Sequence, residues 1–194
     1  MAAPEEFNIL KYLRADLIRI LSLQHGSNHI SSEIRLWLGL FSPRFIPVFL
    51  CRLAHYFFCY RLFFISKFIS LINYVFFGIE ISIRCPIGPG LFFPHTQGTV
   101  IGAWAIGANA TIFQGVTLGA KELDFGYLEH SRPLIGCDVT IGSGAKVLGG
   151  VMVGDGVFIG ANSVVLSSLP SRAIAAGIPA RIIRIVGEGN CETS

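Results

Sequence analysis

The sequence predicts a mainly β protein, a parallel β-helix of hexapeptide repeats preceded by an N-terminal α-helical region, and three observations carry that prediction. Ile135, Ile141, Val147, Val153, Ile159 and Val165 recur at an unbroken six-residue interval. Such a period fits neither an amphipathic helix nor a lone strand and therefore marks an internal repeat. Glycine follows the aliphatic residue at Gly136, Gly142, Gly154 and Gly160, and a small or β-branched residue stands four places after it at Val139, Ala145, Val151, Val157 and Ser163. Each hexad thus reads as a short strand plus a corner, with the aliphatic side chain inward and glycine supplying backbone freedom near the corner. A hexad cannot bury its own aliphatic residue, so only stacked coils make a core.

The elements follow in chain order. Residues 6–24 carry Ile9, Leu10, Leu13, Leu17, Ile18, Ile20 and Leu21 at mostly helical spacing with charges between them, which predicts one amphipathic helix. The glycine-, serine- and asparagine-rich run at 25–32 breaks it, and a second helix is expected over Glu33–Leu40 before Ser42-Pro43. From 45 to 77 phenylalanine is dense and the charges, Arg52, Arg61 and Lys67, are sparse. A membrane-crossing helix needs about 18 consecutive apolar residues; the run here is interrupted, so it predicts a helical hairpin or a pair of short helices. The repeat register then begins loosely at Ile81, Ile87 and Phe93 and sharpens at Val100, Ile106, Ile112 and Leu118. Residues 119–134 fit no hexad and are expected to be extruded as a loop. The expected division is a helical region over 1–77, a β-helix over 78–184 and a polar tail over 185–194, with a turn enforced by glycine and proline in AAGIPAR.

Composition narrows the function. Charged residues make up 14% and hydrophobic ones 52%, with a mean hydropathy of +0.62. A net charge of +3 with scattered Lys and Arg argues against a nucleic-acid partner. Five cysteines without a CxxC pair argue against a disulfide framework or a zinc knuckle and for a reducing cytoplasm. The opening residues, acidic before any apolar run, do not read as a secretory signal. Ten of the 16 phenylalanines lie between Phe41 and Phe77, which adds the expectation of peripheral contact through 45–77 with the inner face of the cell membrane.

The segment from Gly78 to Arg184, with CRLAHYFF before it, FFPHTQG at its start and AAGIPAR at its end, resembles the hexapeptide-repeat acyltransferases and, among them, the serine acetyltransferase branch. That resemblance implies a left-handed β-helix, acetyl-CoA as co-substrate, no metal, and a homotrimer with active sites between subunits. Acetyl transfer to a hydroxyl needs a base, and histidine is the usual one. His95 matches the histidine of the family's DHATG motif, and Glu80, in GIEIS, stands where the family has the aspartate of GIDIH. Their separation approaches one coil of three hexads, which predicts that they meet on adjacent coils. Carried over in the same way, Ala120, Ser143 and Ala161, with Gly142 and Gly160 beside them, are the CoA contacts, and Lys146 and Arg181 are candidates for its phosphates.

Two departures from the family bear on the acceptor. Pro94 replaces the aspartate before the histidine, and Ser131-Arg132-Pro133 replaces an Arg-His-Pro triplet, with His130 displaced. Those missing groups would grip the small zwitterion serine. The shortened helical part is similar to that of the acetyltransferases of capsule, exopolysaccharide and lipopolysaccharide assembly. The expectation is therefore an O-acetyltransferase acting on a saccharide held by Phe125, Tyr127, His130 and Arg132, with serine acetylation as the alternative and an inactive trimeric scaffold third.

Overall fold

The computed structural model describes residues 8–25 and 42–187. Helix α1 spans Ile9–His25, α2 Ile46–Cys59 and α3 Phe63–Phe77; the helix expected over Glu33–Leu40 lies outside the described residues. Helix α2 opens with Pro47 in its first turn, where the missing N–H costs nothing. It turns back at Arg61, which takes a left-handed φ of 61°. Helix α3 stops at Gly78, also left-handed, whose N–H caps the carbonyl of Tyr74 at 2.9 Å. The two helices are pinned by polar groups as well as by packing, because Ser66 donates to the carbonyl of Ala54 (2.6 Å) and Asn73 to that of Pro47 (3.0 Å).

The repeats build a three-sided parallel β-helix. Its first face stacks β1 (Ile79–Ile81), β2 (Thr99–Ile101), β5 (Thr117–Gly119), β8 (Lys146–Leu148) and β11 (Val164–Val165). The second carries β3 (Ala105–Ile106), β6 (Leu134–Ile135) and β9 (Met152–Val153). The third carries β4 (Thr111–Ile112), β7 (Thr140–Ile141), β10 (Phe158–Ile159) and β12 (Ala173–Gly177). These strands pair in parallel, and β13 (Ala180–Ile185) folds back antiparallel on β12 to close the stack. Both columns anticipated from the hexads are buried, the aliphatic one from Ile135 to Val165 and the smaller one from Val139 to Ser163.

Two expectations are corrected. Val100 points outward and Ile101 takes the core position, because side chains alternate along β2 and a one-residue offset exchanges the faces. The glycines that follow the aliphatic residues are needed for close stacking rather than for special dihedrals. A Cβ on Gly107 would lie 2.6 Å from the backbone of Gly136, and one on Gly142 2.7 Å from the nitrogen of Ala161. The left-handed corner residues come two places later, at Asp138, Gly144, Gly156 and Asn162.

The helices are bolted to the first coil by a buried ion pair. Arg52 of α2 donates through Nε and Nη2 to both carboxylate oxygens of Asp16 of α1 (2.9 and 3.0 Å) and through its guanidinium to the carbonyls of Ile87 and Gly88. Asp16 in turn accepts the backbone N–H groups of Gly90 and Leu91 (2.7 and 2.8 Å). Arg19, one turn on, donates to Ala110 O and Thr111 Oγ1, both at 3.0 Å. His55 adds a fourth tie through Nδ1 to Ile83 O at 2.9 Å, and burial lowers its pKa.

Candidate active site

His95 stands exposed at the corner that leads into the first face. The chain bulges there. Phe92 pairs with Thr111, and Gly98 stacks under Gly115, whose N–H bonds to Gln97 O, so two more residues lie between Phe92 and Gly98 than between Thr111 and Gly115 one coil up. Pro94 and His95 fall in that bulge, and the backbone is held on each side of it. Phe92 N–H bonds to Ala110 O at 2.9 Å, Thr96 Oγ1 donates to Phe77 O at 2.6 Å, and Arg44 Nε donates to Pro94 O at 3.3 Å. An exposed imidazole on a fixed backbone is free to reach a bound hydroxyl.

Glu80 is exposed on β1, where the register pairs it with Val100. The spacing argument for its meeting His95 thus fails, because the first coil is longer than three hexads. Among the described residues no hydrogen bond or ion pair joins the two. Glu80 instead lines a groove of about 500 Å³ running over β1, β2 and β5, together with Lys67 of α3, Arg84, and Phe125, Tyr127 and Arg132 of the extruded loop.

The CoA candidates divide between two corners. Ser143 and Ala161 stack above Gln97 and Gln114 on the same corner as His95: Gly144 N–H bonds to Gln114 O (2.9 Å) and Asn162 N–H to Ser143 O (2.8 Å). Gly142 and Gly160 lie beside them, and Gly160 carries no side chain where a Cβ would come 2.9 Å from that of Ala176. Ala176 is paired with Arg181, which puts Arg181 at the top of this corner. Lys146 turns back on the same corner, its Nζ donating to Gly115 O. Ala120 sits at the opposite end of the first face, in a second groove with His130, Gly149 and Gly150.

The extruded loop is folded tightly on itself. Asp124 accepts from Arg132 Nε (2.8 Å), Ser131 Oγ (2.8 Å) and Leu128 N–H (2.9 Å). Partial burial works to raise its pKa, but the donors from Ser131, Leu128 and Arg132 outweigh that and hold it at about 2. Arg132 also reaches Gly102 O (2.8 Å) and lies over the Tyr127 ring, 3.9 Å from its centroid. Burial pushes the Tyr127 phenol up, and its O–H donates to Ala103 O (2.6 Å). Tyr127 and Arg132, expected to face a ligand, therefore spend their chief contacts on the loop and on the coil beside it, while Phe125 is 90% exposed and His130 is also exposed. The sequence offers Lys67 only as one of the sparse charges of the aromatic region, and it gives Arg84 and Asp124 no part in the site. The hydrophobic stripe of α3 masked Lys67, and only the stacking of β1 beneath the loop brings Arg84 within 5.8 Å of the Tyr127 centroid.

Comparison with known proteins agrees with this geometry. The bacterial transferase hexapeptide family (six repeats) matches residues 132–167. The serine acetyltransferase of Bacillus pumilus is 36% identical over 174 residues, 89% of this chain and 76% of that protein. The serine acetyltransferase of Neisseria gonorrhoeae, solved in complex with serine, superposes with a TM-score of 0.75 at 30% identity, covering 93% of this chain and 71% of that one. A serine acetyltransferase solved with CoA gives 0.75 at 31% identity over 92% and 71%. These relatives overturn the saccharide reading and the likeness to capsule and lipopolysaccharide enzymes, because the similarity to serine acetyltransferases runs through the helices as well as the repeats.

Proposed function

The chain belongs to the serine acetyltransferase family of acetyl-CoA-dependent acyltransferases, and from that membership we propose that it transfers the acetyl group of acetyl-CoA to the hydroxyl of L-serine with His95 as general base. The fold is accordingly the left-handed parallel β-helix. The observation that carries the acceptor assignment is the identity of more than a third to serine acetyltransferases over nine-tenths of the chain. The groove supports it. A zwitterion needs both signs of charge, and Glu80, Lys67 and Arg84 line one groove, while Asp124 and Arg132 neutralise each other. The argument against serine from Pro94 and Arg132 compared motif positions only; α3 and the turn after β1 supply cations from elsewhere.

In this reaction the serine oxygen attacks the thioester carbon as its proton passes to the His95 imidazole. The tetrahedral intermediate collapses by breaking the C–S bond, and the departing thiolate recovers the proton from the imidazolium. The carboxylate of Glu80, in one groove with Lys67 and Arg84, holds the serine ammonium in this reading, a smaller contribution than that of the base. Because Ala120 and the Ser143–Ala161 corner stand at opposite ends of the first face, one chain does not bring them into a single CoA groove. A homotrimer, in which one subunit's corner faces its neighbour's loop, does.

Steady-state kinetics test this reading. Saturable, serine-dependent release of CoA is expected, falling about 10²- to 10⁴-fold in His95→Ala with CoA affinity retained, and by less in Glu80→Gln. Absence of any serine-stimulated thioester cleavage would sink it.

A further inference from the structure

We propose that the outward face of α3 seats the enzyme on an anionic lipid surface. Phe64 (93% exposed), Phe68 (63%), Leu71 (55%) and Val75 (64%) fall on one helical stripe, and Phe76 (74%) lies beside it. The stripe's direction is fixed, because the opposite side of α3 is locked to α2 through Ser66, Ile69 and Asn73. An apolar strip of this extent on a soluble domain marks an interaction surface.

Charge decides what it meets. From Ile34 to Ile79 the sequence has no Asp or Glu, while Arg44, Arg61 and Lys67 are exposed around the helices. Arg52, the other cation of this region in the structure, is consumed by Asp16. Aromatic side chains beside cations that, among the described residues, form no ion pair suit the boundary of a bilayer, where rings enter the acyl region and cations meet phosphate. A second copy of this face would bring the same cations and no carboxylate of its own to meet them. Among the described residues no helix is long and apolar enough to cross a membrane. At a rise of about 1.5 Å per residue the 15 residues of α3 reach roughly 22 Å, short of the roughly 30 Å hydrocarbon core. The helix therefore lies along the surface. This placement does not depend on the identity of the acceptor.

Flotation of the full chain with vesicles tests it. Binding is expected to phosphatidylcholine vesicles containing phosphatidylglycerol and not to phosphatidylcholine alone, and it should weaken with salt. Phe64→Ser with Phe68→Ser should abolish binding while circular dichroism and solution turnover stay at the wild-type level. Arg61→Glu should weaken it about tenfold; being a surface change outside the acceptor groove, it keeps the test sound if the phenylalanine variant does not fold. Wild-type protein that fails to float with anionic vesicles would overturn the proposal. So would a smaller assembly in sedimentation for the phenylalanine variant without any vesicle binding by the wild type, since the stripe would then be a contact between copies.

Discussion

Two regions stand outside the repeat, the N-terminal helices and the extruded loop, and each is secured by one arginine–aspartate pair. Asp16 and Arg52 are 36 residues apart and essentially sealed from solvent; Asp124 and Arg132 are eight apart and retain some exposure. In the first, the carboxylate also accepts two backbone N–H groups from the first coil, so the pair fastens three separate pieces of chain. In the second, every donor to the carboxylate comes from the loop, and Arg132 alone reaches the coil stack through Gly102 O. Burial therefore makes the first pair a condition of assembly, whereas the second shapes one wall of an open groove.

The largest effect expected is at the buried pair. Arg52→Met should cost about 3–5 kcal/mol by leaving the Asp16 carboxylate uncompensated, measured by urea unfolding. Adding Asp16→Leu should restore only part of it, because the N–H groups of Gly90 and Leu91 then lose their acceptor. Full recovery would show that the pair merely fills space.

The repeat supplies a reference for that effect. Ile141 is fully buried in the middle coils, and Ile141→Ala should cost about 3 kcal/mol as lost transfer energy plus a cavity. A cost well below that of Arg52→Met would confirm that one bolt outweighs one rung, and a reversed order would break the contrast between the two arginine pairs.

Arg132→Ala should move the melting temperature by about 2–4 °C or less, yet raise the KM for the acceptor more than that for acetyl-CoA, since the loop wall of the groove loses its brace. An unchanged acceptor KM would make the pair irrelevant to the site.

The smallest effect concerns pH. The folded-state pKa of Asp124 lies below the value in an unfolded chain, so its contribution is complete above about pH 4 and is lost as pH falls toward 2. Loop fluorescence from Trp104, whose ring centroid lies 6.0 Å from that of Tyr127, should change through that window in the wild type and be flat in Asp124→Asn. A transition near neutral pH instead would contradict the assignment.

Much of the architecture was legible because a six-residue period admits so few structures. The aliphatic column from Ile135 to Val165, the loop at 119–134, the helix Ile9–His25 and the helix pair within 45–77 all follow from local pattern. Val100 was misplaced because the first coils depart from the strict hexad, and a period-2 strand turns any offset into a change of face. The site was legible in part. His95 carried a motif, but its bulge shows only once Phe92 and Gln97 find their partners one coil up. Lys67 carried a signal only as a cation of the aromatic stretch and Arg84 none, and reading acceptor choice from Pro94 and Arg132 without them led to a sugar where the relatives are serine acetyltransferases.

What the sequence determined by itself is the repeat: aliphatic residues at every sixth place bury themselves whatever the neighbouring coil contains, and glycine beside them permits the close stacking of backbones. What only the tertiary structure decided are the partnerships across long stretches of chain. Arg52 finds Asp16, Glu80 falls opposite Val100, and Lys67 and Arg84 come to one groove. Such contacts depend on coil length and helix docking summed over many residues, and a single irregular coil is enough to shift them all.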